Sequence, residues 1–337
     1  MVHQNQNDGV CDDVNDMLQN MNTGDNNNAS VCANCGKEGS SDEIKNTCNK
    51  CKQVKYCNAA CKKKHRHKHK KDCEEHVRLA TERAAELHNE ELFKQPPPQN
   101  EDCPICFLRL PTLRTGRKYQ TCCGKRICSG CSFAPVYDNQ GNVVAKKVCA
   151  FCRTPTPKSI KEAVEREKKR VDLGDPIAIH NLGNYYRKGM HGFRQDHVKA
   201  LEQYHRAAEL GDAGAYSNIG YCYMYGEGVE VDQEKANHYF ELAAISGDNT
   251  ARFNLGNAEL NGDNMDRALK HHMIAIRGGF SESLKVVKEM YTNGDATKED
   301  YTEALRTYQE YLGEIESAQR DKAAAAYAQY CYYELGA

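Results

Sequence analysis

From residue 172 to Ala337 the order of polar, apolar and small positions repeats. Gly-Asp recurs at 174–175, 211–212 and 247–248, with Gly278-Gly279 in the next place. The triplets Asn181-Leu182-Gly183, Asn218-Ile219-Gly220 and Asn254-Leu255-Gly256 follow one another at offsets of 37 and 36 residues. Ala200, Ala236, Ala268 and Ala304 do so at 36, 32 and 36. The region holds a single proline, so its composition is helical, and a period of this length is that of stacked helix pairs. In Asp175-Pro176 the carboxylate suits a helix N-cap and the proline the first helical position. The recurring glycine suits a left-handed cap on the helix before it. Gly183, Gly220, Gly256, Ala207 and Ala243 are small enough to let helices approach. Tyr185, Tyr204, Tyr221, Tyr239 and Tyr308 are expected to fill the remaining space as core residues.

The first half follows a different pattern. Residues 74–94 hold strong helix formers and no Gly or Pro, which predicts one helix. Pro96-Pro97-Pro98 ends it in a short stiff spacer. Residues 1–31 are rich in Asn and Asp and lack Lys and Arg. They bury too little apolar surface to offset the entropy of ordering and are expected to form a disordered tail. The expected organisation is a tail (1–31), a cysteine-rich module (32–73) and a helical spacer with proline linker (74–102). A second cysteine-rich module (103–153), a linker helix (154–171) and the repeats (172–337) complete it. The fold class is mainly α: two small zinc-stabilised fingers followed by an αα-hairpin solenoid. As separate modules, fingers stripped of zinc should unfold over 32–152 and leave the helical signal of 172–335.

Charge narrows the function classes. Lys plus Arg number 46 against 47 Asp plus Glu, which argues against a general nucleic-acid or membrane-surface binder. No run of about 18 apolar residues occurs, and MVHQNQNDGV lacks the apolar core of a signal peptide. The expectation is an intracellular protein, cytoplasmic or nuclear, with no membrane partner. Of 18 cysteines, 16 lie within residues 1–152. In a reducing compartment such dense pairs read as zinc ligands.

Residues 32–73 read C-x2-C-x12-C-x2-C-x5-C-x3-C-x7-H-x3-C, eight ligands for two tetrahedral zincs. His69 and Cys73 lie four apart, on one face of a helix; His65 and His67 compete with His69. The arrangement resembles the MYND zinc finger, including Tyr56 before Cys57 and the His69-Lys70-x-x-Cys73 ending. The resemblance implies one zinc on Cys32, Cys35, Cys57 and Cys61 and another on Cys48, Cys51, His69 and Cys73. Where that family often has Trp, this chain has Arg66. The run KKKHRHKHKK at 62–71 reads either as a solvated basic helix face or as a phosphate contact.

Residues 103–152 read C-x2-C-x15-C-C-x4-C-x2-C-x17-C-x2-C, again eight ligands. CPIC, TCCGKRICSGC and CAFCR resemble an all-cysteine RING finger. The cross-brace implied pairs Cys103 and Cys106 with Cys128 and Cys131, and Cys122 and Cys123 with Cys149 and Cys152. The family's usual histidine position is Lys125 here, and Ala150 stands where a proline is common. The second site is either all-cysteine, with backbone strain at the adjacent pair, or three-coordinate with water. Zinc is therefore the expected cofactor, four ions or three. By the same resemblance Ile105, Phe133, Pro135 and Arg153 occupy the face that contacts a ubiquitin-conjugating enzyme. The alternative is that Ile105 packs between zinc loops and Arg153 is solvated.

The repeat pattern A-x-x-x-L-G-x-x-Y, Y-G-E-G-V and K-A-x-x-Y-F-E-L-A-A, fullest at 213–244, resembles Sel-one-like repeats of the tetratricopeptide-like solenoids. That resemblance implies an αα superhelix whose concave face binds protein segments. Asp321 to Gly336 reads as a capping helix and Cys222 as a small core residue. No P-loop, dinucleotide fingerprint, nucleophile elbow or H-E-x-x-H is present. Every zinc that can be built has four protein ligands and no open position for water activation. The expectation is a protein-interaction adaptor with no catalytic residue of its own, binding proteins or peptides through its repeats and MYND finger. Its RING-like finger makes it a candidate ubiquitin ligase; the alternative is a scaffold or transcriptional cofactor.

Overall fold

A computed structural model describes residues 30–40, 43–94, 102–138, 140–144 and 148–333. The expected tail up to residue 29, Cys11 and Pro96-Pro97-Pro98 lie outside these. The chain forms two compact units, one to Glu91 and one from Leu92. Among the described residues no helix is long and apolar enough to cross a membrane.

The first unit holds two minimal hairpins, β1 (Ser30–Val31) with β2 (Glu38–Gly39) and β3 (Asn46–Thr47) with β4 (Lys55–Tyr56). Ile44 and Tyr56 are its fully buried apolar residues beside the cysteines. The helix expected at 74–94 begins earlier: α1 runs Ala59–Phe93, with no Gly or Pro to stop it. It therefore presents Cys61, His69 and Cys73 on one continuous helix. Exposed Arg78 pairs with Glu75 at 2.7 Å and Glu82 at 2.6 Å, contacts worth only a few tenths of a kcal/mol each.

The second unit begins with Leu92 and Phe93, which pack against Ala236, Phe240 and Leu255. The cysteine-rich segment that follows has a 3₁₀ turn (Arg114–Gly116) and a hairpin, β5 (Arg117–Gln120) on β6 (Lys125–Cys128). The short helix α2 (Ser129–Phe133) and a second hairpin, β7 (Val136–Tyr137) on β8 (Val143–Val144), complete it. Leu110 and Ile127 close a small core around Cys103, Cys128 and Cys131. Helix α3 (Ile160–Asp172), capped by Ser159, leads into the repeats.

Four helix pairs follow. They are α4 (Pro176–Lys188) with α5 (His197–Glu209), α6 (Ala213–Tyr225) with α7 (Gln233–Ile245), α8 (Asn249–Asn261) with α9 (Met265–Arg277), and α10 (Ser281–Asn293) with α11 (Lys298–Ile315). The expected caps are present. Asp175 accepts from Ile177 N at 3.1 Å, Asp212 from Ala215 N at 3.0 Å and Asp248 from Ala251 N at 2.7 Å. Gly174, Gly211, Gly247 and Gly279 all sit at positive φ, between 73° and 91°. In each of the first three pairs a glycine meets a ring. A methyl added at Gly183 would lie 2.6 Å from Tyr204, at Gly220 2.8 Å from Phe240 and at Gly256 2.7 Å from His272. The ring is tyrosine only in the first pair. Cys222 is buried in the core between the first two pairs.

Two expectations change. The second cysteine-rich module is not separate from the repeats, because it packs on them at both ends. Near the first pair the Tyr119 hydroxyl donates to Asp175 at 2.9 Å. Near the last, Thr112 N donates to the Tyr311 hydroxyl at 2.9 Å, Thr112 bonds Gly278 O, Thr115 bonds Cys331 O at 2.5 Å, and Arg109 pairs with Glu314. Gly130 in α2 approaches so closely that a methyl there would meet Arg320 N at 2.9 Å. The Arg320 side chain is fully buried and bonds Ile315 O at 2.5 Å and Leu108 O at 3.5 Å. The expected capping helix is also shorter, Ala318–Ala326 (α12). Beyond it Tyr327 and Tyr330 turn onto Phe133, at ring distances of 6.2 and 5.8 Å, and Tyr332 is buried with its hydroxyl on Asp321.

Candidate metal centres

Four ligand groups converge: Cys32, Cys35, Cys57, Cys61; Cys48, Cys51, His69, Cys73; Cys103, Cys106, Cys128, Cys131; and Cys122, Cys123, Cys149, Cys152. In each the ligand atoms lie within 4.8 Å of one another. Zn–S bonds of about 2.3 Å at tetrahedral angles set sulfurs about 3.8 Å apart. The Sγ separations match: Cys35–Cys57 3.7 Å, Cys57–Cys61 3.6 Å, Cys48–Cys73 3.6 Å and Cys106–Cys128 3.8 Å. Cys122–Cys152 is tighter, at 3.3 Å. His69 is buried and points Nε2 at Cys51 Sγ, 3.3 Å away. His65 stacks on His69 and bonds the Tyr56 hydroxyl at 3.2 Å, and exposed His67 stays outside the group.

The backbone is shaped for metal as well. Of the five C-x2-C pairs, Cys128 and Cys131 enter helix α2. The other four form the same turn, in which the residue after the second cysteine is left-handed: Gly36 (φ 72°), Lys52 (56°), Phe107 (58°) and Arg153 (63°). Each of these donates its N–H to the carbonyl of the first cysteine, at 2.9, 3.1, 2.8 and 3.0 Å. Three of the five described non-glycine residues at positive φ sit at these turns, an uncommon cost to the backbone. Sequence reasoning did not identify this feature, since only Gly36 spells it. In the third site N–H groups also point at sulfur, Cys128 N at Cys103 Sγ (3.4 Å) and Cys131 N at Cys128 Sγ (3.3 Å).

The adjacent pair Cys122-Cys123 carries no positive φ. It sits in the turn joining β5 to β6, and Gly124 takes the left-handed conformation (φ 70°), donating to Gln120 O at 2.8 Å. The strain expected at the cysteines falls on a residue that tolerates it. The thiols within one cluster differ in acidity. The N–H of Cys57 foremost draws the Cys32 thiol down to about 6. Burial, then the neighbouring thiols, push Cys57 and Cys73 up to about 12. A divalent cation bound there would hold every thiol as thiolate.

Of the suggested enzyme-contact residues, Ile105 is 37% exposed, Pro135 and Arg153 are exposed, and Phe133 is half-buried against the C-terminal tyrosines. The Arg153 guanidinium donates to Tyr137 O at 3.0 Å.

The chain thus joins cysteine-rich clusters whose geometry suits zinc to a solenoid of helix pairs. The MYND finger family matches residues 32–73, and the Sel1 repeat family matches 176–212, 213–248 and 289–309. The chain carries both modules. Its third helix pair falls between the matched repeats, where the Asn261-Gly262-Asp263-Asn264 loop is short. Among curated proteins it is 33% identical over 103 residues to the "ERAD-associated E3 ubiquitin-protein ligase component HRD3B" of Arabidopsis thaliana, covering 30% of this chain and 16% of that one. It is 31% identical over 171 residues to an uncharacterized protein of Neisseria meningitidis serogroup B, covering 50% of this chain and 35% of that one. The chain thus spans well under half the length of either relative. A Sel1 repeat protein from Oxalobacter formigenes is similar at 32% identity and TM-score 0.42, over 48% of this chain and 68% of that one.

Proposed function

We propose that this chain is an adaptor that binds four zinc ions, holds a client protein on its repeats and recruits a ubiquitin-conjugating enzyme through its second finger. The observation that carries this reading is the docking of that finger at both ends of the repeats, through Tyr119 on Asp175 and Arg320 against Gly130. An enzyme bound to the finger would stand at a fixed distance from the client. Proximity then does the chemistry. A client lysine amine attacks the enzyme's thioester, an isopeptide bond forms, the thiol leaves, and no bond is made to this chain. The Arabidopsis relative is itself named as a component of a ubiquitin ligase.

The metal's part is structural. Each zinc would join segments distant in sequence, and such sites contribute about 10–16 kcal/mol of apparent stabilisation. Cys32, Cys35, Cys57 and Cys61 would hold the first, and Cys48, Cys51, His69 and Cys73 the second. Cys103, Cys106, Cys128 and Cys131 would hold the third, and Cys122, Cys123, Cys149 and Cys152 the fourth. Metal analysis should return four zincs per chain. Three, with the loss traced to Cys122 and Cys123, would refute the fourth site.

Ile105, Pro135 and Arg153 remain accessible for the enzyme, and Arg153 offers a bidentate donor that Lys does not replace. Phe133 favours the second reading, a scaffold without enzyme recruitment, because its ring is turned toward Tyr327 and Tyr330. The deciding experiment is ubiquitin-chain synthesis by the zinc-loaded protein with a panel of conjugating enzymes, beside Ile105→Ala and Arg153→Ala. Chains that vanish in both variants support recruitment. Silence across the panel with zinc bound leaves the scaffold.

A further inference from the structure

Between the second finger and the starts of the first helices lies a chamber of about 690 Å³, within the usual range for ligand sites. One wall is the β5–β6 hairpin with the 3₁₀ turn before it. Side chains alternate across this hairpin, and Tyr119 stands opposite Arg126. Arg117, Tyr119 and Arg126 therefore share the inward face, and Arg114 joins them from the turn. Lys118 and Lys125 are exposed outside the chamber. The other wall runs along the starts of α4, α6, α8 and α10, four successive repeats.

The charges on the two walls are not equally engaged. On the solenoid wall every acid has local work. Asp212 caps α6 and meets His180 Nδ1 at 3.0 Å, Asp248 caps α8, and Glu282 accepts the Ser281 hydroxyl at 3.1 Å. Each cap is also offset by the positive end of its helix. Burial pushes the Asp248 carboxyl up, which weakens its charge further. On the finger wall, no hydrogen bond or ion pair is made by the guanidinium of Arg114, Arg117 or Arg126 among the described residues. Asp212 and Asp248 attract them only from across the chamber, beyond ion-pair distance, and the three repel one another. Burial first, then Arg126 and Arg114, hold Arg117 down to about 10. Arg117 and Arg126 are half-buried and Arg114 is exposed at their edge, and half-buried guanidinium groups without a hydrogen-bonded partner are costly unless an anion neutralises them.

We propose that this chamber binds an extended, anionic peptide segment, its carboxylate or phosphate groups held by Arg114, Arg117 and Arg126. The contact with four successive repeats favours a chain over a compact ligand. The site is composite: the repeats supply the floor and the finger supplies the charge that selects the ligand. The proposal rests on the reading of the protein as a client-binding adaptor, but not on enzyme recruitment.

The test is fluorescence anisotropy of the zinc-loaded full chain with four labelled octapeptides: poly-glutamate, a phosphoserine-glycine repeat, poly-lysine and glycine-serine. Anisotropy should rise with one or both anionic peptides and with neither control; which one rises distinguishes carboxylate from phosphate. Arg117→Gln with Arg126→Gln should weaken binding at least tenfold. Lys118→Gln with Lys125→Gln, the same charge change on the opposite face of the same hairpin, should alter it less than twofold. The arginine variant should also melt no lower than the parent, because it relieves repulsion. Equal loss in the two variants, or no anionic binding by the parent, would overturn the chamber as an anion site. Chain synthesis in the ubiquitin assay alongside a failed peptide assay would reject this inference and leave the proposed function standing.

Discussion

Removing zinc from the second finger should weaken the repeats as well as the finger. The substitution Cys103→Ser with Cys106→Ser strips two ligands from the third site and leaves residues 32–73 untouched. If the finger unfolds, the repeats lose the Thr112, Thr115, Tyr119 and Arg109 contacts, the bond from Arg320 to Leu108, and the packing of Phe133 on Tyr327 and Tyr330. At about 1 kcal/mol net for each of the four part-buried polar links, with little from the exposed Thr115 and Arg109 contacts and a further share from the Phe133 packing, the loss is about 4–6 kcal/mol. For a repeat region of this size each kcal/mol moves the midpoint by about 2–4 °C, so the helical melt should fall by about 10–20 °C. Thermal unfolding followed by far-UV circular dichroism, parent against variant, reads this directly. A helical melt shifted by less than about 3 °C would refute the coupling and restore the picture of separate modules.

Other perturbations test the fold more locally. Gly220→Ala should cost about 1–3 kcal/mol, because its methyl would press on the Phe240 ring, and the urea midpoint should fall accordingly. Gly313→Ala in α11 meets nothing within 4 Å and should stabilise by about 0.5–1 kcal/mol; a lower midpoint would contradict the open space seen there. Burial pushes His271 down to about 3, with Arg252 and Arg267 adding to it, and His272 down to about 4. The unfolded chain takes up these protons near pH 6.5 and the folded one does not, so this stability is complete above pH 6.5 and declines as pH falls. Between pH 7 and 5 each histidine should account for about 2 kcal/mol. His271→Leu should remove about half of that dependence in parallel urea titrations; an unchanged slope would show that the acid sensitivity lies in the zinc ligands.

The ligand groups were legible because metal chelation imposes spacing on sequence, and the repeats were legible because each helix pair needs the same caps and close approaches. Asp175 and Gly183 announce their roles by local chemistry. What the sequence hid is tertiary. Lys52, Phe107 and Arg153 adopt a glycine-like backbone because the tight turn made by their C-x2-C pairs demands it, and no propensity of those residues reports it. Nothing in residue type marks Arg320 or Arg252 for the interior, yet both are fully buried, Arg320 under the finger and Arg252 against the Leu92 carbonyl. Tyr327 and Tyr330 looked like the continuation of a helix, and their rings instead answer to Phe133, nearly 200 residues earlier in the chain.

Helical solenoids behave as springs: each repeat touches only its neighbours, so curvature adjusts and repeats are gained or lost in evolution without global consequence. Here one finger reaches the first pair at Asp175 and the last at Tyr311. It acts as a strut across the spring. The number of repeats between those points is fixed by the width of a zinc finger, and a fifth pair inserted after Ile245 would have to tear one end of the strut loose. A protein built this way has given up the elasticity of its architecture for a single, set opening.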